Sequence, residues 1–363
     1  MKKVLFVLFR KFDIIPDGGD QCNRRNLEVV KNIFGESEID IYYVCKYKHT
    51  TVKEIINFIW FLNKGYYRGI TPKVVSDICT LASNYENVFL SSSLFGQISY
   101  GLKNSGYNGK IIVQFHNVET LYYQNILPKC LLLRKKIIEC ISYNEQLAIS
   151  YANVRLALNK RDAEILDSIS SNKVDYIIPI TLQDKCKNIS QDETVLINRK
   201  PLIAFIGSNF PPNANSVLWF VKNVLPHIDV NFIVVGKNMS RLKRRNKILK
   251  NIDIRSNVPD ISSYFENSDI IISPIFSGSG MKVKTCEALM YGKIIVGSSE
   301  AFEGYELNYD KVGCKANTPE DYIEFINKIS KNPRPRFNKY SRQVYLERYS
   351  NEVAYNMFNK FLK

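Results

Sequence analysis

The feature that most constrains the fold is a stretch in which an apolar run, a glycine-rich loop and a helix follow one another. Residues 270–272 are three isoleucines without polar alternation, which is typical of a parallel strand buried on both faces. Pro274 ends this strand, and residues 277–280 (SGSG) form a loop with little side chain over its backbone N–H groups. A helix then begins near Lys282 and ends before Gly292. Such a helix start favours an anion, because unpaired amides and the helix dipole point at it.

Two lysines, Lys282 and Lys284, lie in the predicted first turn of this helix. Positive charge at a helix N-terminus opposes the helix dipole, so the two side chains should have another role there. An anionic ligand would provide that role.

Strands alternate with helices along the whole chain. We predict strands at 4–9, 39–45, 88–90, 111–115, 154–158 and 176–180, and the pattern restarts with strands at 202–206, 232–235, 252–254 and 270–272. This alternation indicates parallel, doubly wound α/β sheets. The stretch 181–200 is polar and aperiodic, which is typical of a linker. We therefore expect an N-terminal domain at 1–180, a C-terminal domain at 201–338 and terminal helices at 339–363.

The net charge of +15 needs an anionic partner. The excess is spread over the chain, since residues 1–180 carry 23 basic and 17 acidic side chains and residues 181–363 carry 27 and 18. A nucleic-acid ligand is not expected, because no zinc-finger, RNP-type or basic-zipper motif is present. An anionic membrane surface or a phosphate-bearing substrate explains a diffuse excess equally well.

The cysteines and the apolar runs bear on the cellular compartment. Eight cysteines are scattered without a Cys-x-x-Cys pair, which favours reduced thiols in a cytosol over a disulfide framework or a zinc site. No apolar run reaches the roughly 18 residues of a membrane span, and the apolar start of the chain is too short for a signal peptide.

In the N-terminal half, two loops follow predicted strands. Gly18 and Gly19 lie between the first strand and the next helix, without the Gly-x-Gly-x-x-Gly spacing of a dinucleotide site; a simple turn is an equal alternative. His116 directly follows the strand at 111–115. Because ligands of open α/β sheets bind beyond the carboxyl ends of strands, His116 is a candidate site residue.

A helical pattern at 130–151 combines leucines with Arg134, Lys135 and Lys136. One interpretation is a core helix with a solvated basic face. The other is an amphipathic surface that rests on anionic lipid.

Residues 278–296 (GSGMKVKTCEALMYGKIIV) resemble the Gly-x-Gly-x-Lys-x-Lys-x-x-Glu-Ala-x-Ala-x-Gly-x-Pro-Val-Val signature of GT-B glycosyltransferases of the family-4 type, often called glycosyl transferases group 1. Supporting matches are residues 16–19 (PDGG), 115–119 (FHNVE) and 205–208 (FIGS). The resemblance implies an α/β GT-B fold, in which two Rossmann-like domains have parallel sheets facing a central cleft and terminal helices cross back to the N-terminal domain.

The resemblance also implies the site residues. His116 would contact the transferred sugar near its anomeric carbon, Lys282 and Lys284 would neutralise the donor diphosphate, and Glu287 would bind the donor ribose. His116, Lys282 and Glu287 are the implied catalytic residues. The implied donor-binding positions are Gly18, Gly19, Gly207, Ser208, Val258, Gly278, Ser279, Gly280, Lys282, Lys284 and Glu287.

The chain departs from the family pattern at a few positions. Ser279 stands where many members have a glutamate that contacts the sugar, and Ile294 stands where the signature has proline. No Asp-x-Asp motif is present, so we expect neither a metal ion nor another cofactor. The resemblance implies a retaining reaction in which the leaving phosphate helps to deprotonate the acceptor.

From these observations we expect a nucleotide-sugar-dependent transferase that modifies a glycan or a lipid-linked acceptor in bacterial surface polysaccharide synthesis. It would be cytoplasmic, with peripheral contact to the inner face of an anionic membrane. The alternatives are a GT-B nucleotide-sugar epimerase and a nonenzymatic basic module that binds RNA or lipid.

Overall fold

The computed structural model describes residues 2–12, 18–44, 52–186, 199–331 and 335–362. These residues form two compact units. Unit 1 takes the described residues within 1–14, 19–179 and 355–363, and unit 2 takes those within 15–18 and 180–354. Pro16 and Asp17 of the PDGG match lie outside the described residues.

Unit 1 alternates strands and helices almost throughout. In chain order its elements are β1 (Lys2–Leu8), α1 (Gly18–Phe34), β2 (Ile39–Tyr43), α2 (Val52–Asn63), α3 (Pro72–Ala82), β3 (Tyr85–Leu90), α4 (Gly96–Asn104), β4 (Lys110–Phe115), α5 (Glu119–Ile126), α6 (Arg134–Tyr151), β5 (Val154–Ala157), α7 (Lys160–Ser168) and β6 (Tyr176–Ile177). In the described part its six strands are all parallel, in the order β2-β1-β3-β4-β5-β6.

Both faces of this sheet are buried, which explains why its strands are apolar without alternation. On one face, Leu5 and Val7 of β1 belong to a core cluster that α3, α4 and α6 complete. On the other face, the Phe6 and Phe89 rings stack with centroids 4.6 Å apart, and Phe358 from the end of the chain lies 6.2 Å beyond Phe89.

Unit 2 repeats the same plan. Its elements are β7 (Leu202–Ile206), α8 (Pro211–Asn223), β8 (Asn231–Gly236), α9 (Met239–Arg245), β9 (Asp253–Ser256), α10 (Ser262–Asn267), β10 (Ile270–Ser273), α11 (Val283–Met290), β11 (Ile294–Gly297), α12 (Tyr309–Val312), β12 (Gly313–Lys315), α13 (Pro319–Lys331) and α14 (Lys339–Val344), which continues into a π-helical turn at Tyr345–Tyr349. The order of its six described strands, again parallel, is β12-β11-β10-β7-β8-β9.

The last helix, α15 (Asn351–Leu362), ends in unit 1. There the Phe361 ring packs against the Tyr176 ring with centroids 5.1 Å apart. The Phe361 carbonyl accepts a hydrogen bond from Lys110 Nζ. Residues 355–363 therefore complete unit 1, while residues 339–354 belong to unit 2.

The prediction of parallel, doubly wound sheets is confirmed, with local corrections. The predicted strand at 176–180 ends at Ile177, because Pro179 has no N–H to continue the ladder. The predicted helix at 130–151 begins only at Arg134, and Leu132 lies before it on a turn that follows Pro128. Gly18 and Gly19 are the first residues of α1 rather than part of the loop before it. The sequence analysis missed α5, α12, β11 and β12.

None of the helices in the ranges that the structure describes is long and apolar enough to cross a membrane.

Candidate functional site

The sheet of unit 2 places two loops side by side. β7 lies between β10 and β8, so the chain runs outward in opposite directions from β7 and β10. Ligands of open parallel sheets bind at such a switch point, beyond the carboxyl ends of the strands. The loop after β7 begins at Gly207, and the loop after β10 carries the glycine-rich sequence that was predicted to hold an anion.

The loop after β10 turns sharply before α11. Gly278 and Gly280 have φ values of 150° and 64°, a region that glycine adopts at little cost. Lys282 is the N-cap residue, without a side-chain cap, and α11 runs from Val283 to Met290. The helix therefore starts at the switch point, with its first N–H groups directed towards the loop.

One face of α11 is anchored in the protein, and the other carries the charged residues. On the anchored face, the Thr285 hydroxyl donates to the Ala301 carbonyl at 2.8 Å, and Cys286 is fully buried. Lys284 and Glu287 are three positions apart and lie on one side of the helix, where both side chains are half-buried.

The Lys284 side chain reaches the other loop. Its Nζ atom donates to Asn213 Oδ1 at 2.6 Å and lies 4.4 Å from the centre of the Phe205 ring. Gly207 makes room for it, because a Cβ atom on Gly207 would lie 2.9 Å from the ammonium nitrogen. Asn213 also donates to the Ser208 carbonyl at 2.9 Å, so the lysine is fixed against the loop that follows β7.

Burial lowers the pKa of Lys284 to about 7; the neighbouring Glu287 carboxylate raises it and Lys282 lowers it further. The Glu287 carboxylate thus does not fully offset the desolvation of the Lys284 ammonium group. An anion bound next to Lys284 would favour its protonated form.

Lys282 already has a carboxylate partner. Its Nζ lies 2.7 Å from Glu300 Oε1 and donates to the Gly280 carbonyl at 2.7 Å. The Ser279 carbonyl lies 3.5 Å from the same nitrogen, at the limit of a hydrogen bond. The side chains of Lys282 and Glu300 are 11% and 19% exposed, so the pair lies at the mouth of the loop rather than in bulk solvent.

Val258 is further along the same edge of the sheet. It follows β9, two strands from β7, and its neighbour Asn257 has a positive φ of 59°. Asn257 Oδ1 accepts a hydrogen bond from Asn238 N at 2.8 Å, which fixes this turn. The predicted contact between the Val258 backbone and a nucleobase stays a prediction.

In unit 1, His116 lies at the end of β4. Its Nε2 atom is 2.9 Å from the Ser91 carbonyl and 3.0 Å from Asn23 Oδ1. Because a carbonyl oxygen can only accept, Nε2 carries a proton. The ring is held between the first helix and the carboxyl end of β3, next to the β1–β3 switch point of this sheet.

Three residues around His116 were not predicted, namely Cys22, Asn23 and Arg25 of α1. Burial raises the pKa of the Cys22 thiol, but the Arg25 guanidinium and His116 outweigh this effect and bring it to about 7. Burial in turn lowers the pKa of His116, and Cys22 more than offsets this effect, so the pKa is raised. Arg25 Nη2 lies 3.4 Å from the sulfur. Each of the two groups thus shifts the pKa of the other towards its charged form.

Unit 1 also has two buried carboxylates, those of Glu119 and Glu145. Glu145 Oε1 accepts from Glu119 N at 2.6 Å and Oε2 from the Thr120 hydroxyl at 2.7 Å, so it caps α5 from another helix. Burial raises the pKa of Glu145 to about 7. Burial also raises the pKa of Glu119, although His116 and Arg68 oppose the shift.

The structure brings most of the predicted donor-binding residues together in unit 2. Gly207, Ser208, Lys282, Lys284, Glu287 and the turn at 278–280 surround one switch point, and Val258 lies on the same edge. His116 and Gly19 belong to unit 1. Sequence reasoning missed Asn213 and Glu300, for which no motif gave a signal. Within the described ranges, no group of three or more His, Cys, Asp or Glu side chains could hold a metal ion.

Comparison with known proteins agrees with this geometry. Residues 200–332 match the family described as "Glycosyl transferases group 1". The matched residues lie within unit 2, and the match confirms the resemblance found in residues 278–296. The "Uncharacterized 44.6 kDa protein in cps region" of Klebsiella pneumoniae is 25% identical over 279 residues, which cover 69% of this chain and 67% of that protein.

Solved structures show the same fold over the whole chain. Sucrose-phosphate synthase from Thermosynechococcus elongatus has a TM-score of 0.73 and 12% identity, covering 99% of this chain and 98% of that one. HepE of Anabaena in complex with UDP has a TM-score of 0.68 and 10% identity, with 99% of both chains covered. The structure of HepE with UDP-glucose has a TM-score of 0.64 and 11% identity, covering 100% and 99% of the two chains. The predicted GT-B fold is confirmed.

Proposed function

We propose that this chain is a retaining glycosyltransferase that moves a sugar from a nucleotide-diphosphate sugar to a glycan or lipid-linked acceptor in bacterial surface polysaccharide synthesis. The observation that carries the proposal is the half-buried Lys284, which Asn213 and Gly207 hold at a switch point within the residues that match the group 1 glycosyltransferases. The Klebsiella relative, named for the cps region, supports the assignment to polysaccharide synthesis.

In this proposal the donor diphosphate binds at the start of α11. Lys284 and the first amides of the helix neutralise it, with Lys282 at its side. Glu287 accepts hydrogen bonds from the ribose hydroxyls, and Gly207 lets the phosphates approach the backbone. The backbone near Val258 faces the base. Gly18 and Gly19 allow the N-terminal domain to approach the donor or the acceptor.

Transfer proceeds with retention, as the family resemblance implies. Negative charge grows on the diphosphate as the glycosidic bond breaks. The two lysines are already in position before the reaction, and they stabilise this charge. A phosphate oxygen takes the acceptor proton on the same face of the sugar. His116 contacts the transferred sugar through its ring, whose orientation Ser91 and Asn23 determine. We propose that no metal ion is required, because the lysines supply the positive charge.

We also propose that the enzyme works at the cytoplasmic face of an anionic membrane. The structure makes α6 a core helix, since Ile137, Cys140 and Ile141 on it are buried. The turn before it is different, because Leu131 is 38% and Leu132 is 97% exposed. Lys129, Lys135 and Lys136 lie within five positions of these leucines in the sequence and are exposed. Apolar side chains with lysines nearby in the sequence suit the headgroup region of anionic lipid.

The test begins with a screen of nucleotide sugars for thermal stabilisation, since a ligand that binds only the native state raises its apparent stability. The donor that stabilises the protein is then incubated with glycan and lipid-linked acceptors, with and without EDTA, and the anomeric configuration of the product is read by NMR. A product with the donor's configuration supports the proposal, and an inverted product contradicts retention. Conversion of the donor alone indicates the epimerase. Salt-sensitive RNA or lipid binding without nucleotide-sugar stabilisation indicates the binding module.

A further inference from the structure

A carboxylate that no sequence motif marks lies beside the glycine turn of the donor site. Glu300 Oε1 is 2.7 Å from Lys282 Nζ. A Cβ atom built on Gly278 would lie 3.3 Å from Lys282 Cε and 3.7 Å from the same carboxylate oxygen. The Glu300 carboxylate, the Lys282 ammonium group and the turn at 278–280 thus form one small surface at the mouth of the loop.

The backbone around Glu300 is fixed by hydrogen bonds on both sides. Ala301 N donates to the Ser298 hydroxyl at 3.1 Å, and the Ala301 carbonyl accepts from Thr285 of α11 at 2.8 Å. Ser299 N donates to Asn317 Oδ1 at 2.9 Å. Because these contacts tie the segment to α11, Glu300 keeps its place relative to the helix that carries Lys284 and Glu287.

The charge of Glu300 determines what can lie next to it. A carboxylate accepts hydrogen bonds and donates none, so sugar hydroxyls are suitable partners. The free terminal phosphate of a nucleoside diphosphate is an unsuitable partner, because two negative groups repel each other at short range. A donor sugar covers that phosphate and presents hydroxyls instead. Ser279, on the same turn, offers only a hydroxyl where the family resemblance led us to look for a carboxylate.

We propose that Glu300 is a specificity-determining residue that binds hydroxyls of the transferred sugar and disfavours the bare nucleoside diphosphate. This inference rests on the proposed function of the same site. In the complex Lys282 bridges the diphosphate and Glu300, so that the carboxylate lies on the sugar side of the lysine. After transfer, the same carboxylate faces the newly exposed terminal phosphate and weakens product binding.

The test compares two ligands on each protein. Isothermal titration gives the Kd of the best-binding nucleotide sugar from a panel of UDP-, GDP- and ADP-sugars, and the Kd of its own nucleoside diphosphate. In Glu300→Gln, the nucleotide sugar should bind about tenfold more weakly, as expected for the loss of a hydrogen bond to a charged group. The nucleoside diphosphate should bind as tightly as before or more tightly. Glu306→Gln removes the same charge from an exposed residue that pairs with Arg348, and it should change neither Kd.

Equal weakening of both ligands, or no change in either, would overturn the inference. Thermal unfolding of Glu300→Gln shows whether this variant is destabilised. If it is, Glu300→Asp serves as the second variant. This variant keeps the charge, so the nucleoside diphosphate should still bind weakly relative to the nucleotide sugar. Equal affinity of Glu300→Asp for the two ligands contradicts the role of the charge. Wild-type protein that binds no nucleotide sugar of the panel would contradict the proposed function, and the inference with it.

Discussion

Lys284 Nζ donates to Asn213 Oδ1 at 2.6 Å, which joins α11 to the helix that follows β7. Each of the two helices begins beyond the carboxyl end of a neighbouring strand, at the switch point of the sheet. Desolvation of the half-buried Lys284 ammonium group is costly for the fold unless nearby negative charge compensates it. The contact holds Lys284 where the proposed donor phosphate would bind.

The first prediction concerns the affinity of the donor site and its pH dependence. Lys284→Met should weaken nucleotide-sugar binding by about tenfold or more, because a charge-assisted hydrogen bond is lost. In the wild type, burial brings the pKa of Lys284 to about 7, so most of the side chain is neutral above that pH. Binding a diphosphate must then take up a proton, and the affinity should fall as the pH rises from 7 to 9.

Titration calorimetry in buffers of different ionisation enthalpy measures this proton uptake directly. Lys222→Met, an exposed lysine on α8, is the matched control and should keep both the affinity and its pH dependence. A wild-type affinity that stayed constant from pH 7 to 9 would show that Lys284 is not the group that binds the phosphate.

The second prediction concerns Glu287. Glu287→Ala should abolish detectable sugar transfer while the protein remains folded, because the carboxylate that we propose binds the ribose is lost and Lys284 loses its neighbouring negative charge. Transfer rates and circular dichroism measure the two effects. Glu287→Gln, which keeps the shape of the side chain, should also remain folded and should recover only part of the activity. Full turnover by the alanine variant would remove Glu287 from the site.

Much of the fold follows from local sequence. The run at 270–272 predicts a doubly buried strand, and β10 is buried at every position. Asn159 is of a residue type typical of helix caps, and its side chain accepts a hydrogen bond from Asp162 N at 2.9 Å at the start of α7. In contrast, β12 has three residues, only one of them buried, and it forms only because β11 provides a parallel edge. Such a strand depends on tertiary pairing, which a local pattern does not contain.

The candidate site likewise contains residues that the sequence predicts and residues that only the structure reveals. The spacing of Lys282, Lys284 and Glu287 predicts the proposed donor loop, because all three lie at or near the start of α11. Asn213 lies 71 positions before Lys284, and the order of the strands decides that they meet. The pairing of Cys22 with His116 likewise depends on where α1 packs against β4. Sequence spacing therefore identified the residues of one element, and the sheet order supplied their partners.

The third prediction concerns the titration of His116. Cys22 raises its pKa, Glu119 and the Ser91 carbonyl act in the same direction, and burial opposes them. Cys22→Ser removes the anionic partner, so the His116 pKa should fall. NMR titration of the imidazole signals measures it, and the chain has only three histidines to assign. Cys79→Ser, at a half-buried thiol on α3, is the control and should leave the titration unchanged. An unchanged His116 pKa in Cys22→Ser would exclude the thiolate as its partner.

The fourth prediction concerns the buried cap of α5. Burial raises the pKa of Glu145 to about 7, so the folded protein binds a proton that the unfolded chain releases at lower pH. The stabilisation is complete below the unfolded pKa, and it is lost as the pH rises towards 7. Between pH 4.5 and 7, the free energy of unfolding of the wild type, measured in urea, should fall by on the order of 2 kcal/mol through this group. Glu145→Gln should not show this fall.

Glu139→Gln is the matched control for Glu145→Gln. Glu139 lies on the same helix, about half-exposed and 3.8 Å from Lys136. Its replacement should leave the pH dependence of unfolding as in the wild type. The same pH dependence in Glu145→Gln as in the wild type would mean that the cap does not titrate in this range.

The last prediction concerns the exposed leucines before α6. Replacing both Leu131 and Leu132 with glutamate should weaken binding to phosphatidylglycerol-containing vesicles by about tenfold or more, because two apolar side chains no longer enter the headgroup region and two like charges face the anionic lipid. Co-sedimentation with vesicles measures this loss. Leu346→Glu, at a leucine that is 48% exposed in unit 2, should bind as the wild type does. Wild-type protein that does not bind anionic vesicles would exclude the membrane contact. A double variant that still binds them fully would place the contact elsewhere.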